Sequence, residues 1–281
     1  MSEIGKTLRC QRDDLINLLK KTQRPQVVAG KKQDQVYSTI IKSAENNRAY
    51  TVSLVKDGVT SLSRFSIPVE ESIGDIPISN INDILGVLSM HSPQILMTFY
   101  SDRGKLKITS RRKQTTITTN KNSLAFAHNP ETLSEWVDKA ENLSEKFILL
   151  PNSPSLNYRL KTGGIVTPYA LLNISANELY EALRCDGINS QKLNKYTFLL
   201  DDEGMFVEVG GELKGKTSTL LSEEPFFKSV CEVNGGLENV MKLVDGDVLM
   251  VFLELGNTPS LIIQLGNGDF IFQAGNKENE K

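Results

Sequence analysis

Few residues in this 281-residue chain stand where they could do covalent or metal chemistry. The two histidines, His91 and His128, belong to no Cys or carboxylate motif, so no zinc site is expected. Asp201, Asp202 and Glu203 could gather a cation, but adjacent acids just before Gly204 read as a solvated hairpin tip. Cys185 has no histidine close in sequence to activate it and reads as a packing residue at a helix end. There is no Walker lysine motif, no nucleophile elbow and no HExxH, and the glycine pairs Gly210-Gly211 and Gly235-Gly236 read as turns. No cofactor and no metal are expected, and an enzyme is the weaker class.

The chemistry on offer is electrostatic. The formal net charge is −2, but the charges are segregated. Residues 1–32 carry eight basic and three acidic side chains, and residues 101–121 carry seven basic against Asp102 alone. Residues 201–232 reverse the balance, with eight acids and three lysines. Discrete basic stripes on an otherwise repelling surface suit a polyanion held at one place, although solvated faces give the same counts. With 39% hydrophobic and 23% charged residues the chain is not a disordered one. No apolar run approaches the roughly 20 residues that span a bilayer, and the first residues lack the apolar core of a signal peptide. Three widely spaced cysteines, Cys10, Cys185 and Cys231, suit a reducing compartment. A cytoplasmic protein is the expectation.

The elements that must carry these charges follow from periodicity. Leu8, Leu15, Leu18 and Leu19 share one helical stripe, which predicts a helix over 10–23 with Lys6, Arg9, Lys20 and Arg24 opposite, stopped by Pro25. Alternating runs at 36–41, 49–55 and 61–67, broken by Asn46-Asn47 and Asp57-Gly58, predict antiparallel strands. A short strand within 74–79 leads to a helix over 80–90 capped by Ser79 or Asn80, then strands at 94–100, 105–110 and 114–119. Residues 130–146 read as an acidic helix, and 151–157 as a Pro/Ser/Asn-rich connector. Beyond it the same order returns. A helix over 175–185 with the capping box Ser175 and Glu178 precedes strands at 195–200, 205–209, 216–221 and 227–233. A helix over 236–244 and strands at 248–255, 260–265 and 270–274 follow. At roughly 150 residues per domain, two domains are expected: residues 1–120 and 169–281, joined by a connector over 121–168. The fold class is α+β.

Particular segments carry a family resemblance. Residues 75–89 read Asp-Ile-Pro-Ile-Ser-Asn-Ile-Asn-Asp-Ile-Leu-Gly-Val-Leu-Ser. With the hairpin strand Gly104-Lys-Leu-Lys-Ile-Thr109, they resemble the first domain of DNA polymerase sliding clamps from tailed phages. The ending Asp245-Gly-Asp-Val-Leu-Met-Val-Phe252, then Pro259 and the strand at 270–274, is similar to clamps that include the two-domain eukaryotic and archaeal forms. The resemblance implies a viral processivity factor without catalysis. It implies a homotrimeric ring of two clamp domains per subunit, two helices per domain lining the hole and antiparallel sheets outside. The implied partners are double-stranded DNA, a replicative polymerase and a clamp-loader ATPase, with no membrane. It places Arg9, Lys20, Lys21, Arg24, Arg184 and Lys242 toward DNA. It places a partner-peptide pocket at Leu149, Leu150, Pro259, Phe272 and Ala274. Subunits would join edge to edge through Thr116 and Ile117 on one side and Thr219 and Leu220 on the other, with Arg111, Arg112 and Lys113 facing Glu223 and Glu224. The rival readings are a β-rich viral structural or scaffold protein and an uncharacterised hydrolase.

Overall fold

The structure is a computed structural model that describes residues 6–23, 25–28, 31–34, 36–44, 46–55, 61–78, 80–101, 104–118, 158–159, 165–166, 168–184, 195–211, 215–254 and 258–275. The acidic helix expected over 130–146, together with Arg24, His128, Leu149, Leu150 and Cys185, lies outside them. The described chain falls into two compact units, one of residues 6–22, 36–54 and 63–118, the other principally of 158–275.

The first unit opens with a strand the periodicity did not reveal, β1 (Lys6–Gln11), followed by α1 (Arg12–Thr22). The expected helix over 10–23 therefore begins two residues late. Leu8 fits both a helical stripe with Leu15 and a strand alternation with Cys10. The strand wins because β1 pairs along its length with a neighbour, while Arg12 N donates to Pro93 O at 2.6 Å as the chain turns into the helix. Leu8, Cys10, Leu15, Leu18 and Leu19 are all buried. Two short strands that follow in the chain but do not belong to this unit, β2 (Pro25–Val28) and β3 (Lys31–Asp34), pair with each other. Then come β4 (Val36–Ala44), β5 (Arg48–Val55) and β6 (Ser61–Pro68). Asn46 and Asn47 sit at φ 60° and 55° between β4 and β5, the left-handed pair a tight hairpin requires and asparagine tolerates. β7 (Glu71–Ile73), also unforeseen, and β8 (Ile76–Ile78) lead to α2 (Ile81–Leu88), whose Asn80 cap accepts from Asp83 N. β9 (Gln94–Tyr100), β10 (Lys105–Ser110) and β11 (Lys113–Thr118) close the unit.

In the second unit a small ladder, β12 (Tyr158–Arg159) with β13 (Ile165–Val166), precedes β14 (Ala170–Ser175) and α3 (Ala176–Leu183). The capping box is present: Glu178 N donates to Ser175 Oγ, and the Glu178 carboxylate accepts from Ser175 N. β15 (Lys195–Leu200), β16 (Met205–Gly211), β17 (Gly215–Ser222) and β18 (Ser229–Asn234) follow. Then come α4 (Leu237–Met241), β19 (Asp247–Glu254), β20 (Pro259–Gln264) and β21 (Phe270–Ala274).

The repeat inferred from element order extends to strand pairing. The first unit holds the orders β11-β10-β9-β1-β7 and β6-β5-β4-β8; the second holds β21-β20-β19-β14 and β17-β16-β15-β18. In both, the strand before the first helix joins the closing meander antiparallel. Each unit has two helices among the described residues, packed on each other.

Candidate nucleic-acid and subunit interfaces

The helices expected to face DNA bury one stripe each and turn the other to solvent. On α1, Leu15, Leu18, Leu19 and Thr22 are buried, while Asp13, Asn17 and Lys20 are exposed and Lys21 half-buried. On α3, Ala176, Leu179, Ala182 and Leu183 are buried. Arg184 stands exposed just past its end, 3.3 Å from Glu181 and with its guanidinium over the Tyr180 ring. Lys242 caps α4 and borders a cleft of about 260 Å³ with Asn177, Tyr180 and Asp245. On the four helices and their ends the cations Arg12, Lys20, Lys21, Arg184 and Lys242 are offset by the acids Asp13, Asp14, Asp83, Glu178, Glu181 and Glu238. Arg12 bonds the Asp13 carboxylate and lowers its pKa, so that charge persists. The faces thus carry mixed, nearly balanced charge and offer no dense basic stripe.

Arg9 is placed apart from Lys20 and Lys21. It lies on β1 rather than α1, on the sheet face opposite the buried Leu8 and Cys10, 3.7 Å from Glu71. The charge count over 1–32 therefore merged two surfaces. Arg9 and Arg111 instead border an open cleft of about 770 Å³ with Gln11, Gln94, Leu96 and Thr109.

The strands expected to join subunits occupy terminal places in their sheets. β11 ends the order that runs through β10 and β9, and β17 ends the order that runs through β16 and β15. Gln114, Thr116 and Thr118 are exposed on β11, as are Thr217, Ser218 and Leu220 on β17; Ile117 and Thr219 are half-buried. Arg111, Arg112, Lys113, Glu223 and Glu224 are all exposed at the ends of these strands. A residue that sequence reasoning left idle turns out to brace β11. His91 is 3% exposed, with Nδ1 2.9 Å from Ser110 Oγ and Nε2 2.9 Å from Thr115 Oγ1. Burial, then the nearby Lys113 ammonium, lower its pKa, so the neutral ring is favoured. A lone histidine in a polar loop carries no signal of this.

Of the expected peptide pocket, Pro259 is half-buried at the start of β20, and Phe272 is 7% exposed. Ala274 pairs with Ser260 through the backbone of β20 and β21; Leu149 and Leu150 lie outside the described residues. Phe270 and Phe272 alternate with Ile271 and Gln273 along β21, and all four are buried, so the strand is covered on both faces. Among the described residues no group of three or more His, Cys, Asp or Glu side chains could hold a metal. Asp201 Oδ1 is occupied by the backbone N–H groups of Glu203 and Gly204. Cys10 and Cys231 are buried, and burial pushes both thiols up to about 12, which removes the thiolate a nucleophile needs. No helix among the described residues is long and apolar enough to cross a membrane.

No protein-family profile matches the chain, and no curated protein matches it in sequence. Solved structures do. The chain is similar to the β subunit of DNA polymerase III from Thermotoga maritima, with 14% identity, a TM-score of 0.60, and coverage of 98% of this chain and 66% of that one. A DNA polymerase sliding clamp from Pseudomonas aeruginosa gives 13% identity and a TM-score of 0.57, covering 98% and 65%. One from Caulobacter crescentus gives 11% and 0.59, covering 99% and 67%. The fold is that of the DNA sliding clamps, in a two-unit form. The chain spans about two thirds of the length of the clamps it matches.

Proposed function

We propose that this protein is a subunit of a DNA sliding clamp, a non-catalytic ring that encircles duplex DNA and tethers a replicative polymerase. One observation carries the reading beyond the fold: each unit ends a sheet on a threonine-containing strand, β11 in the first and β17 in the second. Such edges pair with another chain unless covered. Pairing β11 of one subunit with β17 of the next is a head-to-tail contact, and head-to-tail contacts close into rings when the rotation permits. Arg111, Arg112 and Lys113 beside one edge and Glu223 and Glu224 beside the other bring opposite charges to that joint, which favours encounter and register. The ring in this reading is a homotrimer of domains 1–120 and 169–281, with 121–168 as connector.

The near-neutral helix faces suit this role. A ring is retained by topology, so its lining needs only loose, sequence-blind phosphate contacts, individually in the range of about 10⁻⁴–10⁻⁶ M. Lys20, Lys21, Arg184 and Lys242 supply them, with Arg24; Arg9 is better read with the sheet face. Beyond duplex DNA and polymerase the partners are a clamp-loader ATPase and further copies of this chain, inside a host cell if the tailed-phage resemblance of residues 75–89 holds. Polymerase peptides would dock beside Pro259 and Ala274, against Leu149 and Leu150, with the buried Phe272 as floor.

The test is solution mass together with ring shape by electron microscopy. Successive N–H groups point to opposite edges of a strand, so of Thr116 and Ile117 one serves β10 and the other the free edge. T116P and I117P, made separately, should include one variant that keeps the wild-type circular dichroism yet runs as a monomer. A wild-type protein that remains monomeric at tens of micromolar, or rings that persist in both variants, refutes the reading.

A further inference from the structure

The sheet β17-β16-β15-β18 buries one face and leaves the other open. On the open face the registers align one apolar residue from every strand: Leu220 opposite Phe206, Phe206 opposite Leu199, and Leu199 opposite Val230. Leu220 is 44% and Val230 40% exposed. Phe227, in the segment entering β18, is 85% exposed at the same end of the sheet, where Phe226 N donates to Asp201 O at 2.7 Å. Scattered apolar residues on a surface need no explanation, but a contiguous row with an aromatic at its end marks an interaction site.

The flanks of the row define what fits. On one side Glu208 and Glu232 occupy the neighbouring row and are ion-paired to Lys216 and Lys195. On the other side the turn at 201–204 presents Asp201, Asp202 and Glu203, which make no ion pair among the described residues. This turn is closed by Asp201 N donating to Gly204 O at 3.0 Å and packs closely on β17. Gly204 has φ 144°, and a Cβ there would collide with the Ser222 carbonyl oxygen. The exposed Asp202 and Glu203 outnumber the exposed Lys228 beside Phe227, so this end of the row disfavours phosphates. The two acids also oppose a symmetric contact with a second copy, since such a contact brings the same acids near each other.

We propose that this face docks a segment of a partner protein carrying two or three apolar side chains flanked by lysine or arginine, its apolar residues on the Leu199–Phe206 row and its basic end at the 201–204 turn. Leu220 belongs to β17, the edge strand of the proposed joint, but Leu199, Phe206, Val230 and Phe227 lie outside that strand, and the variants that test the face are confined to residues outside it.

The probe is a short fluorescein-labelled peptide alternating phenylalanine with lysine, compared with versions carrying glutamate for lysine or serine for phenylalanine. Anisotropy is read against the full chain at physiological salt. The phenylalanine–lysine probe should bind and both controls should bind at least about tenfold more weakly, the difference made by one good anchor or charge pair. Phe227→Ala, and separately Asp202→Lys with Glu203→Lys, should each weaken the probe about tenfold while thermal melting and subunit assembly stay as wild type. These side chains are exposed, and Val230→Thr gives a β-branched second variant with the same expectation. Wild-type affinity in these variants, or equal binding of the lysine and glutamate probes, overturns the proposal. So does wild-type self-association that Phe227→Ala abolishes, because the occupant would then be a second copy.

Discussion

Replacing His91 with leucine should loosen β11 selectively. In the native structure the imidazole bridges Ser110 Oγ and Thr115 Oγ1, each at 2.9 Å, inside a site with 3% exposure. Leucine fills similar space but makes neither hydrogen bond. Each bond removed is worth about 0.5–1.5 kcal/mol. Ser110 Oγ keeps the Ser92 N–H at 3.2 Å, whereas Thr115 Oγ1 loses the hydrogen bond it shares with the imidazole. The sum is about 2 kcal/mol, or roughly a thirtyfold rise in the open population of β11. Native-state hydrogen exchange with mass spectrometry reads this directly, because it resolves β10 and β11 from the second unit. The pH dependence gives an independent check. The folded-state pKa of His91 lies below the ordinary 6.5, so between those values the opened state binds more protons than the native one. Protection of β11 should be complete above about 6.5, fall as the pH drops toward the folded-state pKa, and lose this dependence in His91→Leu. Thr115→Val should cost less than His91→Leu, and the double variant less than the sum of the two, since both break the same hydrogen bond. Unchanged β11 protection in His91→Leu, or a pH profile identical to wild type after correction for intrinsic exchange, would refute the reasoning.

Phe252 is fully buried, with its ring 5.5 Å from Phe198 and 6.3 Å from Tyr169. Phe252→Ala should destabilise the second unit by about 3–5 kcal/mol, seen as a lower urea midpoint. Lys20→Ala with Lys21→Ala should leave assembly intact, reduce retention on DNA, and flatten the log–log salt dependence by about 0.9 for each phosphate that is no longer neutralised. An unchanged salt slope would remove α1 from the DNA-facing surface.

Much of the fold was written in local chemistry. The strands Gln94–Tyr100, Lys105–Ser110, Lys195–Leu200 and Phe270–Ala274 coincide with their alternating runs, and Ser175 with Glu178 marks the start of α3. Left-handed Asn46-Asn47 marks a hairpin that those residue types favour. These features depend on side chains a few positions apart, so reading along the chain finds them, and the doubled order of elements follows. The same reading misassigned Leu8 and Arg9, because a leucine at that position satisfies two periods and only pairing with β9 selects the strand. Arg9 then changes surface, since a residue that continues a helix and one that belongs to a strand project differently. His91 against Thr115, and the row from Leu220 to Val230, were invisible for a related reason. Their members lie 24 or more residues apart or on strands whose offset no local pattern specifies. Register is a property of two strands together, and shifting it by one residue sends every side chain to the opposite face.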